Sequence, residues 1–193
     1  MPRNTRSDLI DAAVRVFDRN GFQATNIDAV IAEAGVSRMT LYNHFASKDE
    51  LAIAAIERHG DESLEDLGRD VAAAADDPIE QILFAVERHG RWCREPNFRG
   101  CLFLHAAGEF PDPCAPIRRA AAAHKQHVRD YFADLCAKAG LDRPRDRAVQ
   151  ILLVLEGVSA VAEVLDCACT DPDAPCSAAA ATGAVRAILG VGD

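Results

Sequence analysis

No run of about eighteen apolar residues, the length a helix needs to cross a bilayer, occurs in this chain of 193 residues. A membrane-spanning helix is therefore not expected, and neither is any membrane partner. Arg3 and Arg6 lead into an amphipathic helix rather than an apolar leader, so no signal peptide is read and the expected location is the cytosol. The seven cysteines are odd in number and lack any Cys-x-x-Cys unit, which argues against both a zinc ribbon and a disulfide framework. Marks of enzymatic chemistry are missing too. There is no Gly-rich phosphate cradle, no nucleophile elbow and no paired helix motif for two metals, so no catalytic residue, cofactor or resident metal is expected. Internal repeats and low-complexity linkers are also absent.

Basic charge is scarce. The formal net charge of −9 argues against a general nucleic-acid coat. Its distribution says more: residues 1–50 hold six Lys or Arg against seven Asp or Glu, a balance of −1, and residues 51–193 hold fifteen against twenty-three, a balance of −8. The acid excess lies outside the N-terminal segment, where Arg3, Arg6, Arg38 and Lys48 can form a local basic edge.

What is present begins with Thr25 to Lys48, which reads as a helix-turn-helix. Ile27, Val30 and Ile31 give the first helix an apolar face, Gly35 supplies the positive φ of the turn, and Ser37 opens a second helix with Leu41 and Phe45 inward. Thr25, with Asp28 three residues on, is the expected cap of the first helix. The outward residues Arg38, Met39, Thr40, Asn43 and His44 suit base edges and phosphates, because the second helix of such a unit lies in the major groove. An earlier helix from Thr5 to Asn20 carries Leu9, Ile10, Ala13, Val14 and Phe17 at helical spacing and braces the pair from behind.

Gly21-Phe22, Thr25, Ala34-Gly35-Val36-Ser37, Leu41-Tyr42, His44-Phe45, Lys48-Asp49 and Leu51, in this order and spacing, resemble the N-terminal domain of the TetR/AcrR transcriptional regulators over roughly residues 5 to 55. Asn26, Ile31 and Met39 depart from the residues commoner in that family, and Met39 bears most on which operator is read. The resemblance implies a dimeric regulator with a ligand cavity in its C-terminal domain, in which ligand entry moves the connecting helix and releases DNA. It also assigns Thr25, Tyr42, His44 and Lys48 to phosphates. Arg38, Met39, Thr40 and Asn43 are the candidates for base edges, Arg pairing naturally with guanine and Asn with adenine.

Further along, Ser47 to Glu50 is a capping-box start for a connecting helix reaching about Val71, in which Gly60 and Gly68 allow a bend. Helices are expected at 78–95 and 117–140, with a short apolar one between them near residue 100. Two final helices, 146–167 and within 174–192, are apolar nearly all round and must bury two faces. One face meets the core and the other a second copy, with Gly157, Ser159, Ala160, Ala178 to Ala181 and Gly183 permitting close approach in a four-helix dimer interface.

The expected protein is all-α, with about nine helices: a DNA-binding domain at residues 1–50 and a ligand-binding and dimerisation domain at residues 51–193. Its expected function is that of a homodimeric repressor on a palindromic double-stranded operator, released by an unknown small-molecule effector. Trp92, Phe98, Cys101, Phe103, His105, Glu109, Phe110 and Glu156 are the effector-site candidates, an aromatic-rich cluster with a few polar groups. A buried Glu156 would need a cavity, Arg118 or a dimer partner to offset its burial. Three alternatives stay open: a metal sensor built on His124 and His127 with Cys101, His105 or Cys114; a thiol switch at Cys167, Cys169 or Cys176; and a helical interaction protein with no operator.

Overall fold

The computed structural model describes residues 5–165 and 178–192, and these form nine α-helices with no strand among them. They are α1 (Thr5–Asn20), α2 (Ile27–Ala34), α3 (Arg38–Tyr42), α4 (Lys48–Ala74), α5 (Pro78–Trp92), α6 (Leu102–Glu109), α7 (Pro116–Lys138), α8 (Pro144–Val164) and α9 (Ala178–Leu189). Cys167, Cys169, Cys176 and Arg3 lie outside the described residues. No described helix is long and apolar enough to cross a membrane.

Local signals account for most helix ends. Asp77 caps α5 by accepting from the backbone N–H groups of Ile79 and Glu80, and Pro78 occupies the first turn, where a missing N–H costs nothing. Ser47 accepts from Glu50 N at 3.1 Å, the forward half of the capping box expected at the start of α4, while the Glu50 carboxylate accepts from Ala46 N at 2.7 Å, one residue ahead of the Ser47 amide that the full box engages. That helix runs unbroken through Gly60 and Gly68 to Ala74. One cap differs from expectation. Asn26, not Thr25, caps α2, its Oδ1 accepting from Asp28 N at 3.1 Å, because Thr25 turns inward and spends its hydroxyl on the Gly21 carbonyl at 2.6 Å.

By packing, the chain divides into two compact units: residues 1–63 with 102–125, and residues 64–101 with 126–193. The first is cored by Leu9, Val16 and Phe17 of α1, Phe22 of the following loop, Val30, Leu41, Phe45, Leu51 and Ile56, all fully buried. The Phe17 and Phe22 rings stack at 4.9 Å. The second is cored by Ile82 and Val86 of α5, Phe132 of α7, Ile151 and Leu155 of α8 and Val185 and Leu189 of α9. Here α5 packs chiefly on α9, and α8 packs on both.

The last two helices are two-faced, as their composition suggests. Ala148, Ile151, Leu155, Val158 and Ala162 of α8 point into the core, while Val149, Leu153, Ala160 and Val164 lie on the exposed side, Leu153 67% and Val164 80% exposed. On α9 the exposed residues are small: Ala179, Ala180, Gly183, Ala184 and Ala187. Two of the small residues expected on that outer face are turned the other way. Ser159 and Ala181 are buried, Ser159 because its hydroxyl serves a polar cluster in the core.

Candidate nucleic-acid interface

The α2–α3 pair is built by its turn. Gly35 takes φ 66°, its N–H returns to Ile31 and Ala32 carbonyls, and Val36 N reaches Ile31 O at 3.3 Å, closing α2 in a left-handed cap. Ser37 then caps α3, accepting from Thr40 N at 3.1 Å. With Leu41 and Phe45 anchored in the core, the opposite side of α3 is presented to solvent: Arg38, Met39, Tyr42, Asn43 and His44 are all exposed, Met39 at 74%. A short helix and following turn that bury Leu41 and Phe45 and expose an arginine, a phenol, an amide and an imidazole have donors for both base edges and phosphates.

Four of the expected contact residues, Thr40, Thr25, Lys48 and Arg38, are engaged within the protein. Thr40 is half-buried with its hydroxyl 2.8 Å from the Ser37 hydroxyl, so it reinforces the cap. Thr25 is buried at 2% exposure, its hydroxyl on the Gly21 carbonyl. Lys48 directs Nζ to the carbonyls of Phe22 at 2.8 Å, Thr25 at 2.9 Å and Gln23 at 3.4 Å, and so clamps the α1–α2 loop. Arg38 pairs with Asp28 of α2, a partner that spacing along α2 alone does not reveal. Arg6 lies over the Phe45 ring at 5.0 Å. Behind the pair, Glu33 of α2 takes Arg15 at 2.8 Å and Arg19 at 2.6 Å from α1, and these two guanidiniums hold its carboxyl below the usual carboxylate range, Arg19 most strongly. Arg15 and Arg19 are thus spent on bracing α2 against α1.

The effector-site candidates separate into the two units. In the first, Phe103 is stacked between His124, at 3.8 Å between ring centres, and His59, at 5.6 Å, with Lys125 Nζ 5.3 Å from the same ring. His59 is disfavoured as a cation by its burial, against the opposing pull of Asp18 and Glu62. Glu109 accepts from Phe22 N and Gln23 N, and Phe110 sets its ring edge against Phe22 at 6.1 Å. His105 is half-buried on α6. Arg118 donates to the carbonyls of Pro111 at 2.8 Å and Phe110 at 3.4 Å, closing the end of α6.

In the second unit lie Trp92, Phe98, Cys101 and Glu156. Trp92 meets Phe98 edge-on at 4.8 Å and His89 at 5.3 Å. His89 Nε2 lies 2.9 Å from Ser159 Oγ, which is 3.8 Å from Cys93 Sγ. Burial pushes the Cys93 thiol up to about 11 despite the Ser159 hydrogen bond, with Cys101 and Glu156 adding to the rise. A thiol so placed is protonated and unreactive at neutral pH. His89, Cys93 and Ser159 are absent from the sequence-derived site. His89 on α5 and Cys93 at its C-terminal cap sit four apart, a detectable spacing, but Ser159 joins Cys93 from 66 residues away in the chain. Among the described residues no three His, Cys, Asp or Glu side chains converge as metal ligands, and His124 is turned onto Phe103 while His127 is exposed.

Comparison with known proteins agrees with this architecture. Residues 9–55 match the family described as bacterial regulatory proteins, tetR family. The chain is 36% identical over 157 residues to the HTH-type transcriptional activator FasR of Mycolicibacterium smegmatis, covering 80% of this chain and 69% of that protein. It is 26% identical over 153 residues to the HTH-type transcriptional regulator YjdC of Escherichia coli, covering 79% of this chain and 80% of that one. The crystal structure of a TetR-family transcriptional regulator from Streptomyces coelicolor superposes with a TM-score of 0.83 at 28% identity, covering 96% of this chain and 94% of that structure. A capped helix-turn-helix with an outward reading face, a nine-helix fold and relatives of this kind together make the chain a member of the TetR family of DNA-binding transcriptional regulators.

Proposed function

We propose that the protein is a homodimeric, effector-responsive repressor that occupies a palindromic operator in the cytoplasm and leaves it when a small molecule binds. The observation that carries the reading is the outer surface of α3 and the turn that follows it, where Arg38, Met39, Tyr42, Asn43 and His44 are all exposed while Leu41 and Phe45 are buried. Arg38, Met39 and Asn43 are assigned to base edges, and Tyr42 and His44 to phosphates. Thr40, Thr25 and Lys48 support the reading geometry through the contacts they make within the protein, and Lys48 also adds charge beside the phosphates. The division of labour is that of a DNA-binding domain at residues 1–50 and an effector and dimerisation domain at residues 51–193. No enzymatic step is assigned to it.

Dimerisation is supported by the apolar stripe of Val149, Leu153 and Val164 on α8 beside the small residues of α9. A contiguous apolar surface of this kind marks an association site, and small residues let a partner helix approach. Effector binding is assigned to the second unit, where Trp92 meets both Phe98 and the half-buried His89, His89 reaches the buried Ser159 beside Cys93, and Cys101 and Glu156 act on the Cys93 thiol. Aromatic walls with a few placed polar groups suit a mostly apolar molecule bearing one hydrogen-bonding function. Activation is the second reading, favoured by the relative of 36% identity, which is named an activator.

Selection of duplexes from a random pool tests the proposal. Enrichment of two inverted half-sites about one helical turn apart is the expected outcome. Enrichment of nothing by folded protein at low salt would refute operator binding, and transcription from a promoter carrying the winning site decides between repression and activation.

A further inference from the structure

The loop between α1 and α2 is held on both sides of its backbone. Its carbonyls go to Lys48 of α4, and the Gly21 carbonyl to Thr25. Its amides go elsewhere: Phe22 N donates to Glu109 Oε1 at 3.0 Å and Gln23 N donates to Glu109 Oε2 at 2.6 Å, across 87 and 86 residues of chain. Both carboxylate oxygens of Glu109 are used. Gly21, at φ 76°, makes the approach possible, since a Cβ there would stand 2.8 Å from Glu109 Oε1. Phe110, the next residue, sets its ring edge on Phe22, which is itself stacked on Phe17 of α1.

We infer that Glu109 is a positioning residue for operator binding: through the Phe22 and Gln23 amides it holds the α1–α2 loop, and thereby the helix-turn-helix, in the pose that reads DNA. This rests on the proposed operator-binding function and extends it to a residue far from the reading helix. The loop is the only covalent link between α1 and α2, and α2 packs directly on α3. Freedom gained in the loop is therefore freedom gained by the reading surface. A surface that must be ordered on binding loses affinity by the entropy of that ordering, and a misplacement of about 0.5 Å is enough to spoil directed contacts. An anionic acceptor shared by two successive amides is stronger than a neutral one and fixes two peptide planes at once. The end of α6 thus belongs mechanically with the DNA-reading unit, as its packing in the first unit also indicates.

The test compares wild-type protein with Glu109→Gln on the duplex that wild-type protein enriches from the random pool, at a temperature well below both melting points. Gln keeps the size of the side chain, removes its charge and turns an N–H₂ toward one of two amide donors. The expected result is faster hydrogen exchange at Phe22 and Gln23 and an operator Kd raised about tenfold, mostly through faster dissociation, the effect of about one charge-assisted hydrogen bond. A folded variant with faster exchange at both amides but the wild-type Kd would overturn the inference, because the grip would then be structural only. Unchanged exchange would overturn it as well. Should Glu109→Gln not fold, wild-type protein still decides: operator should slow exchange at Phe22 and Gln23, and equal rates with and without DNA refute the coupling. Failure of wild-type protein to enrich any duplex is a different result and strikes the operator-binding function itself.

Discussion

If the outer face of α8 meets a second copy, as proposed, removing Leu153 separates dimerisation from folding. The residue is 67% exposed in the single chain, so its loss opens no cavity and the protomer keeps its stability. Full burial of a leucine side chain is worth about 1.5–3 kcal/mol, and with two thirds of Leu153 still available each copy gains about 1.5 kcal/mol on association. A two-fold interface counts the residue twice, about 3 kcal/mol in all. At about 1.4 kcal/mol per factor of ten, Leu153→Ala therefore raises the dimer dissociation constant about 100-fold. Leu153→Glu does more, because each copy then brings an unpaired carboxylate into the contact. Sedimentation equilibrium over a range of protein concentrations measures the constant, and thermal melting of the dilute protomer checks that the fold is untouched. Dimers that form equally well with Ala or Glu at this position would show that α8 meets something other than a second copy. Where the prediction holds, affinity for a two-half-site duplex falls with dimerisation while affinity for a single half-site does not.

The remaining predictions concern other parts of the molecule. Gly90→Ala, on α5, places a Cβ 2.6 Å from Ala178 Cα of α9, a contact that backbone must relieve; the expected loss is about 1–3 kcal/mol in a urea titration, and an unchanged midpoint would mean that α9 moves aside freely. Burial of His59 disfavours its imidazolium in the folded state, so the unfolded chain takes up the proton first as pH falls. Stability that is complete above about pH 6.5 is then lost progressively below it, and His59→Leu should flatten that limb of the melting-temperature profile relative to wild type. Asn43→Ala should relax selection at one position of each half-site, at about 1–3 kcal/mol of discrimination, whereas Tyr42→Phe should weaken all duplexes alike; equal losses on specific and random DNA for Asn43→Ala would remove it from base reading.

Local signals in the sequence determined the all-helical class, the helix-turn-helix, the Ser37 and Gly35 positions at its turn, and the inward pair Leu41 and Phe45. Those features depend on spacing within a turn or two of helix, where 3.6-residue periodicity and capping act. The two-faced character of α8 and α9 was legible for the same reason, since a helix apolar all round has to bury both sides. Tertiary structure alone decided what the polar side chains do. Thr25 gave up the α2 cap to Asn26 because burial of its hydroxyl left the Gly21 carbonyl as its acceptor. Glu109 and Phe110, grouped by proximity in sequence with Trp92 and Phe98, pack instead in the first unit against a loop more than eighty residues away. Ser159 turned from the outer face of its helix to His89 and Cys93. A polar group's partner is whichever complementary atom the fold brings within about 3 Å, and distance along the chain carries no information about that.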